Sequence, residues 1–242
     1  MYSIYLKELK SLFNSLIAYL VIGIFLTGIG LYVWVFSPSI FELEESDLSL
    51  VFQVTPYIFM FLIPAVTMRT FSEEVKGGTL ELILTRPITE WQLVTGKFLA
   101  SVTLVILALI PTLIYYYSIY QLGNPVGNID TARVIGSYIG LILLACSFTA
   151  IGVWSSSNTE NQIVAFISSL FLSLMLYEGI DYLGNLLPAG FGGYYISQLS
   201  LSNHYQSLSI GVLDLRNMIF LLSCTILFMA LTQLKIISRK WK

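Results

Sequence analysis

The chain has 242 residues, 56% hydrophobic and only 11% charged, with a mean hydropathy of +0.81, whereas soluble domains carry about 25% charged residues. Water is therefore not the main solvent, and six spans of roughly 20 residues with short connections use up nearly the whole length, leaving no room for a large soluble domain. The formal net charge is −2 and no nucleic-acid partner is expected; the two cysteines, Cys146 and Cys224, sit inside apolar runs, where they read as small buried residues and not as a disulfide or metal site.

Residues 2–15 place Ile4, Leu9, Leu12, Phe13 and Leu16 on a broadly shared face, with Lys7, Glu8 and Lys10 largely on another. This pattern predicts a helix lying in the membrane interface over 1–15. The apolar run that follows, 16–36, is longer than a signal-peptide core and lacks a small-residue cleavage site, so it reads as a retained span. Five further runs, 51–69, 95–119, 133–154, 162–183 and 216–235, have the length and apolarity of transmembrane helices. The fold class expected is all-α integral membrane, one six-span domain over 1–242.

Basic residues orient the spans, because those in short loops stay on the cytoplasmic side. Ten of the twelve lie before span one, between spans two and three, or after span six, while the opposite loops hold only Arg133 and Arg216. Over 37–50 the chain carries Glu42, Glu44, Glu45 and Asp47 and no basic residue. Both termini are therefore expected in the cytoplasm.

Between spans two and three, 69–97 is polar yet patterned for helices. Phe71, Val75, Leu82 and Ile83 are expected to share an apolar side, Gly77-Gly78 to break the helix with a close approach or a left-handed turn, and Arg86-Pro87 to end it. Thr89 and Gln92 then form a capping box, with Ile88 and Leu93 as a hydrophobic staple, so span three begins as a capped extension below the membrane. A short helical element held at a fixed angle there could transmit force from a soluble partner, and the competing reading is a solvated loop. Pro64 and Pro111 fall inside spans two and three as candidate kinks.

The 155–162 loop holds Thr159 and Gln162 as a second capping box, within a tight turn between antiparallel spans. Glu178 and Asp181 fall at the end of span five and read as solvated acids, with a functional role as the alternative. Gly184 and its neighbours leave the far end of that span either stopping early or re-entering, so 184–213 is expected to be an extracytoplasmic segment. His204, the only histidine, reads as structural or interfacial because it has no metal-site or triad partners in view. Asp214 and Arg216 are expected to form an ion pair where span six begins.

The run containing Arg69, Glu73, Glu74, Gly77, Gly78, Thr79, Glu81, Leu84, Pro87, Ile88 and Thr89, followed by Lys97, closely resembles the coupling segment of bacterial ABC-2 type permeases. Lys7-Glu8 to Phe13, the 155–162 link, and the stretch from His204-Tyr205 through Asp214 to Asn217 resemble that family's interface helix, its link between spans four and five, and the approach to its last span. Within the family the chain looks most like the gliding-motility-associated permease of Bacteroidota. It departs at Ser200-Leu201, where the family often has Ser-Pro, which bears on a local turn.

The resemblance implies two permease chains, identical or related, in the bacterial inner membrane. Each is docked through residues 70–88 to a cytoplasmic ABC ATPase, itself a dimer, that binds ATP and magnesium. The sequence agrees on one point: it contains no G-x-x-x-x-G-K-[ST] loop, since Gly96-Lys97 lacks the upstream glycine and the following hydroxyl residue, so the chain is read as no enzyme and as carrying no cofactor. A secondary transporter, which would want charges or broken helices at mid-bilayer, and a scaffold that does not transport are the other two readings.

Overall fold

The computed structural model describes residues 1–36, 47–123, 125–186 and 191–240, together with the side chains of all of these except Phe191 and Lys240. Glu42, Glu44, Glu45 and Lys242 therefore lie outside the described residues. Those described are nearly all helical, and no strand occurs among them. Six helices are long and apolar enough to cross a membrane. The physical reason is general: in hydrocarbon every backbone N–H and C=O must find its partner within the chain, and a helix satisfies them within one segment.

The amino-terminal helix α1 (Tyr2–Asn14) ends at Ser15, whose extended backbone separates it from span one, α2 (Leu16–Trp34), and whose hydroxyl caps that span at Ile17 N. Span two is α3 (Ser49–Thr67), continued after a turn by the short α4 (Ser72–Lys76). Next come α5 (Thr79–Leu84) and span three, α6 (Glu90–Leu109) and α7 (Leu113–Leu122), which are joined through a 3₁₀ turn at Ile110–Thr112. Pro111 sits in that turn, as its lost N–H requires. Pro56 and Pro64 both lie inside α3.

Span four, α8 (Thr131–Asn158), is the hub: it packs against spans two, three, five and six, and it is the most deeply buried span. Span five consists of α9 (Gln162–Leu174), a π turn at Met175–Gly179 and α10 (Ile180–Leu186). Two short helices follow, α11 (Phe191–Ser197) and α12 (Leu201–Ser209), before span six, α13 (Leu215–Lys240). Arg239 donates to Ser157 O and Lys7 to Glu74, so both terminal helices reach the same end of the bundle.

After span five the chain returns along the bundle. Ser200, at the start of α12, bonds to Tyr177 O of the π turn deep inside the protein, and α12 then climbs beside span four until Gly211 meets Gly136. A Cβ on Gly136 would stand 3.0 Å from Gly211 Cα, so the two backbones touch. Gly211 also has φ +86°, a left-handed conformation that only glycine adopts cheaply.

Three expectations fail locally. Span five is capped by Asn161, which accepts from Ile163 N, while Thr159 ends span four in extended backbone and accepts from Asn161 N. The three-residue link is too short for a Thr159–Gln162 box. Asp214 accepts from the Arg216 backbone N–H, so it caps the start of span six and does not pair with the guanidinium. Span five also continues to Leu186, which leaves Glu178 well inside it.

The glycines give a paired prediction. Gly78 has φ +65° with nothing within 4 Å of a would-be Cβ, so Gly78→Ala is expected to cost only the left-handed penalty, about 1 kcal/mol. Gly211→Ala would drive a Cβ to 2.5 Å from Arg133 Cα and is expected to cost about 3 kcal/mol or more. Thermal unfolding of the two variants in one detergent checks the order.

Candidate functional site

The segment between spans two and three forms a small structured element at the end of the bundle that carries both termini. After Thr67 the helix loosens, and three backbone groups lose their helical partners. The Ser156 hydroxyl of span four supplies replacements: it accepts from Phe71 N and Ser72 N, each at 3.0 Å, and donates to Met68 O at 2.9 Å. Phe71 is fully buried beneath this turn. Gly78 then reverses the chain in the left-handed conformation expected of it and starts α5. Leu80, buried, anchors α5 to the bundle.

Thr89 and Gln92 form the expected capping box, with both reciprocal bonds present; Leu93 is buried and Ile88 half-buried. The predicted apolar side holds for Phe71, Val75 and Ile83 but fails for Leu82, which is 68% exposed. Leu80 takes the inward place because α5 starts afresh after Gly78, and that shifts the face read across the break.

Charge organises the inner side of this element. Lys97, in the second turn of span three, is 1% exposed. Its ammonium lies 3.1 Å from Glu8 Oε1 and 3.0 Å from Glu74 Oε1, donates to Thr70 O at 2.6 Å, and stands 5.0 Å from the Phe71 ring centroid. Lys7 closes the group at 3.2 Å from both carboxylates, so two ammoniums and two carboxylates leave it neutral. Burying a lone ammonium would cost several kcal/mol, and paired, hydrogen-bonded geometry is what makes it tolerable. Glu8 therefore does not lie on the outer polar face of α1: its side chain is 14% exposed and turned to Lys97. No local pattern signals this, because the partner is in another helix.

Arg69 stands beside the group. It pairs with Glu73 at 3.1 Å and donates to Ser15 Oγ, tying the end of span two to the α1–α2 break. Among the expected coupling residues, Glu74 is thus spent inward, whereas Glu73, Gly77, Gly78, Thr79, Glu81 and Pro87 are exposed, and Lys76, Leu82 and Arg86 join that outer face.

At the other end the three candidates part company. His204 is buried, with Nδ1 2.7 Å from Asn217 Oδ1, Nε2 2.8 Å from Gln198 O, and its ring stacked on Phe220 at 3.9 Å. With both nitrogens held and one face covered, it fastens α12 to span six. Asp181 accepts from Asn185 at 3.0 Å and Asn203 at 2.7 Å. Glu178 is apart from both, taking a 2.8 Å hydrogen bond from Tyr57 Oη of span two.

A family model described as an ABC-2 family transporter protein matches residues 2–235. The chain belongs to that family. ABC-2 permeases are transmembrane subunits, generally without enzymatic activity, whose ATPase is a separate subunit, and they usually pair. No curated protein matches the chain in a sequence comparison. The match and the six apolar helices together make this a multi-pass membrane protein. In this ABC-2 chain the lysine that follows Gly96 is engaged by two carboxylates and a carbonyl, which leaves its ammonium no free donor for a phosphate.

Lys97→Met is expected to destabilise the protein by about 3–5 kcal/mol, because it leaves two inward carboxylates side by side with only the exposed Lys7 to balance them. The triple variant Lys97→Met, Glu8→Gln, Glu74→Gln is expected to recover most of that loss, and chemical unfolding in detergent reads both. Burial alone would lower the Lys7 pKa, but Glu8 and Glu74 outweigh it and raise the value above 10.5. Its contribution to docking α1 is therefore fully present below pH 10.5 and is lost only as the pH climbs through the raised value. Protection of α1 from proteolysis should accordingly be flat across the neutral range.

Proposed function

We propose that the chain is the permease subunit of an ATP-driven transporter, and that the outer face of residues 69–87 receives the partner ATPase. The observation that carries this reading is Leu82. A leucine 68% exposed on a six-residue helix outside the spans, with the charged Lys76, Glu81 and Arg86 exposed on the same segment, fits an anchor-and-rim interface in which one apolar side chain fills a partner pocket. The element behind it is rigidly held by Ser156 and Lys97, as force transmission requires. Arg69, Glu73, Gly77, Gly78, Thr79, Glu81 and Pro87 shape the docking face, and Glu74 supports it from within.

In this reading both termini are cytoplasmic, consistent with the ten basic residues on that side, and α1 lies in the interface of the bacterial inner membrane. Two permease chains, identical or related, face each other with a dimeric ATPase beneath them. ATP and magnesium bind to the ATPase. Closure of its subunits moves α4 and α5 and, through them, spans two and three, driving export or mechanical work. A gliding-motility or secretion-linked setting rests on the resemblance of the whole chain to the Bacteroidota permease.

Co-purification from the native membrane tests the docking face. Leu82→Asp and the pair Glu73→Lys, Glu81→Lys are expected to reduce the recovered ATPase at least tenfold, as loss of a hot spot does, while leaving the helical content unchanged. Undiminished recovery in both would sink the assignment. ATP hydrolysis that depends on this chain and is blocked by vanadate would separate a transporter from a scaffold.

A further inference from the structure

Span two is almost entirely enclosed by its neighbours. Along Ser49–Thr67 its outward residues are Gln53, Tyr57 and Phe61, one turn apart on a single stripe. Tyr57 is 49% and Phe61 57% exposed. Two of the three positions are polar, which is costly for a face turned to lipid tails.

Glu178 completes the stripe from span five. Tyr57 lies near the middle of α3, about 12 Å from one end and about 15 Å from the other at the helical rise per residue. Glu178 lies about 12 Å from the Leu186 end of span five, so the carboxylate bonded to Tyr57 stands within a membrane-spanning helix, a place in which an ionisable group marks a functional site unless it is neutralised. The π turn at Met175–Gly179 puts it there, since an extra residue in one turn rotates the side chains that follow.

Among the described residues the hydrogen bond from Tyr57 is the one this carboxylate receives, and no lysine or arginine stands within 4.0 Å of it. Asp181, one turn further on, is already saturated by two asparagines. Glu178 is thus an acid hydrogen-bonded to one phenol, with the Tyr177 ring packed on that of Tyr57 at 5.9 Å, on helices whose outward residues include the exposed, apolar Phe61, Phe171 and Leu174. A hard metal ion would want six or more oxygen ligands. One carboxylate flanked by aromatic rings suits an organic ammonium, which gains from both charge and ring faces.

We propose that Glu178, oriented by Tyr57, receives the positively charged head of an amphiphilic organic cation within the membrane, with the tail lying along the exposed apolar residues of spans two and five. This names a substrate class and rests on the reading of the chain as a permease. Tyr57 donates to one carboxylate oxygen and offers its ring beside the charge, and Gln53 extends the polar stripe towards the near end of span two.

The full chain in phosphatidylcholine nanodiscs is titrated with radiolabelled dodecyltrimethylammonium, with neutral dodecanol as the control probe and empty nanodiscs as the background. Saturable binding of the cation is expected, with none of dodecanol. Glu178→Gln should weaken it about tenfold and Tyr57→Phe about threefold, as loss of a charged and of an ordinary hydrogen-bond partner implies, while Asp181→Asn leaves it unchanged. No saturable binding in the unaltered chain, or equal binding by Glu178→Gln, overturns the proposal. So does unchanged binding accompanied by loss of pairing between permease copies, which would assign the stripe to an interface. Should Glu178→Gln not fold, the Tyr57→Phe isotherm decides, and no weakening there overturns the proposal. The assay contains no ATPase, so failure to recover one bears on the docking face and not on this site.

Discussion

A single buried ammonium sets the arrangement at one end of the molecule. Lys97 belongs to span three, Glu8 to the amino-terminal helix, and Glu74 and Thr70 to the segment leaving span two, so its contacts join three stretches of chain that are far apart in sequence. A lysine with 1% exposure has no other way to retain its charge, because the desolvation penalty is offset only when all of its donors are met by acceptors. Withdrawing any one stretch exposes the remaining charges to an apolar surrounding. The three elements are therefore coupled: α1 sits where it does because span three carries Lys97, and the 69–87 segment has a fixed inner wall for the same reason.

The second constraint is backbone accounting at the break in span two. A helix that loosens near the membrane boundary leaves N–H and C=O groups unpaired, and lipid cannot satisfy them. Ser156 does so with one hydroxyl, accepting twice and donating once, and thereby attaches the segment to the hub span. The apolar side of the same turn is closed by Phe71, whose ring also faces the Lys97 ammonium. Polar satisfaction and core packing thus meet at a single turn, which lets a short helix stand outside the bundle without being loose.

Much of this architecture is legible in the sequence, and the failures have physical causes. Span number follows from the length of the apolar runs because bilayer thickness is a global constraint that local detail cannot override. The Thr89–Gln92 box is readable because both partners lie within one turn. Face assignments fail where the helical phase is reset, as at Leu82 after the left-handed Gly78, or where a distant partner outbids the local pattern, as at Glu8. The contact between Tyr57 and Glu178 gave no local signal, because it joins two spans 121 residues apart in the chain. Ser156 gave no signal either, being one serine in a run of three at 155–157.

The helix Leu201–Ser209 has a wider consequence. Within a few residues of it lie Tyr205 bonded to Phe52 O of span two, glycine contacts with span four, Ser200 bonded to Tyr177 O of span five, and His204 bonded to Asn217 of span six. Four of the six spans are pinned at one short rod, whose Gly211 tip meets Gly136 about 30 Å along span four from the Ser156 turn. Such an arrangement is a fulcrum. A tilt of a few degrees between spans displaces little at the rod and most at the opposite end, so a push on the exposed element after span two acts on the long arm of a lever.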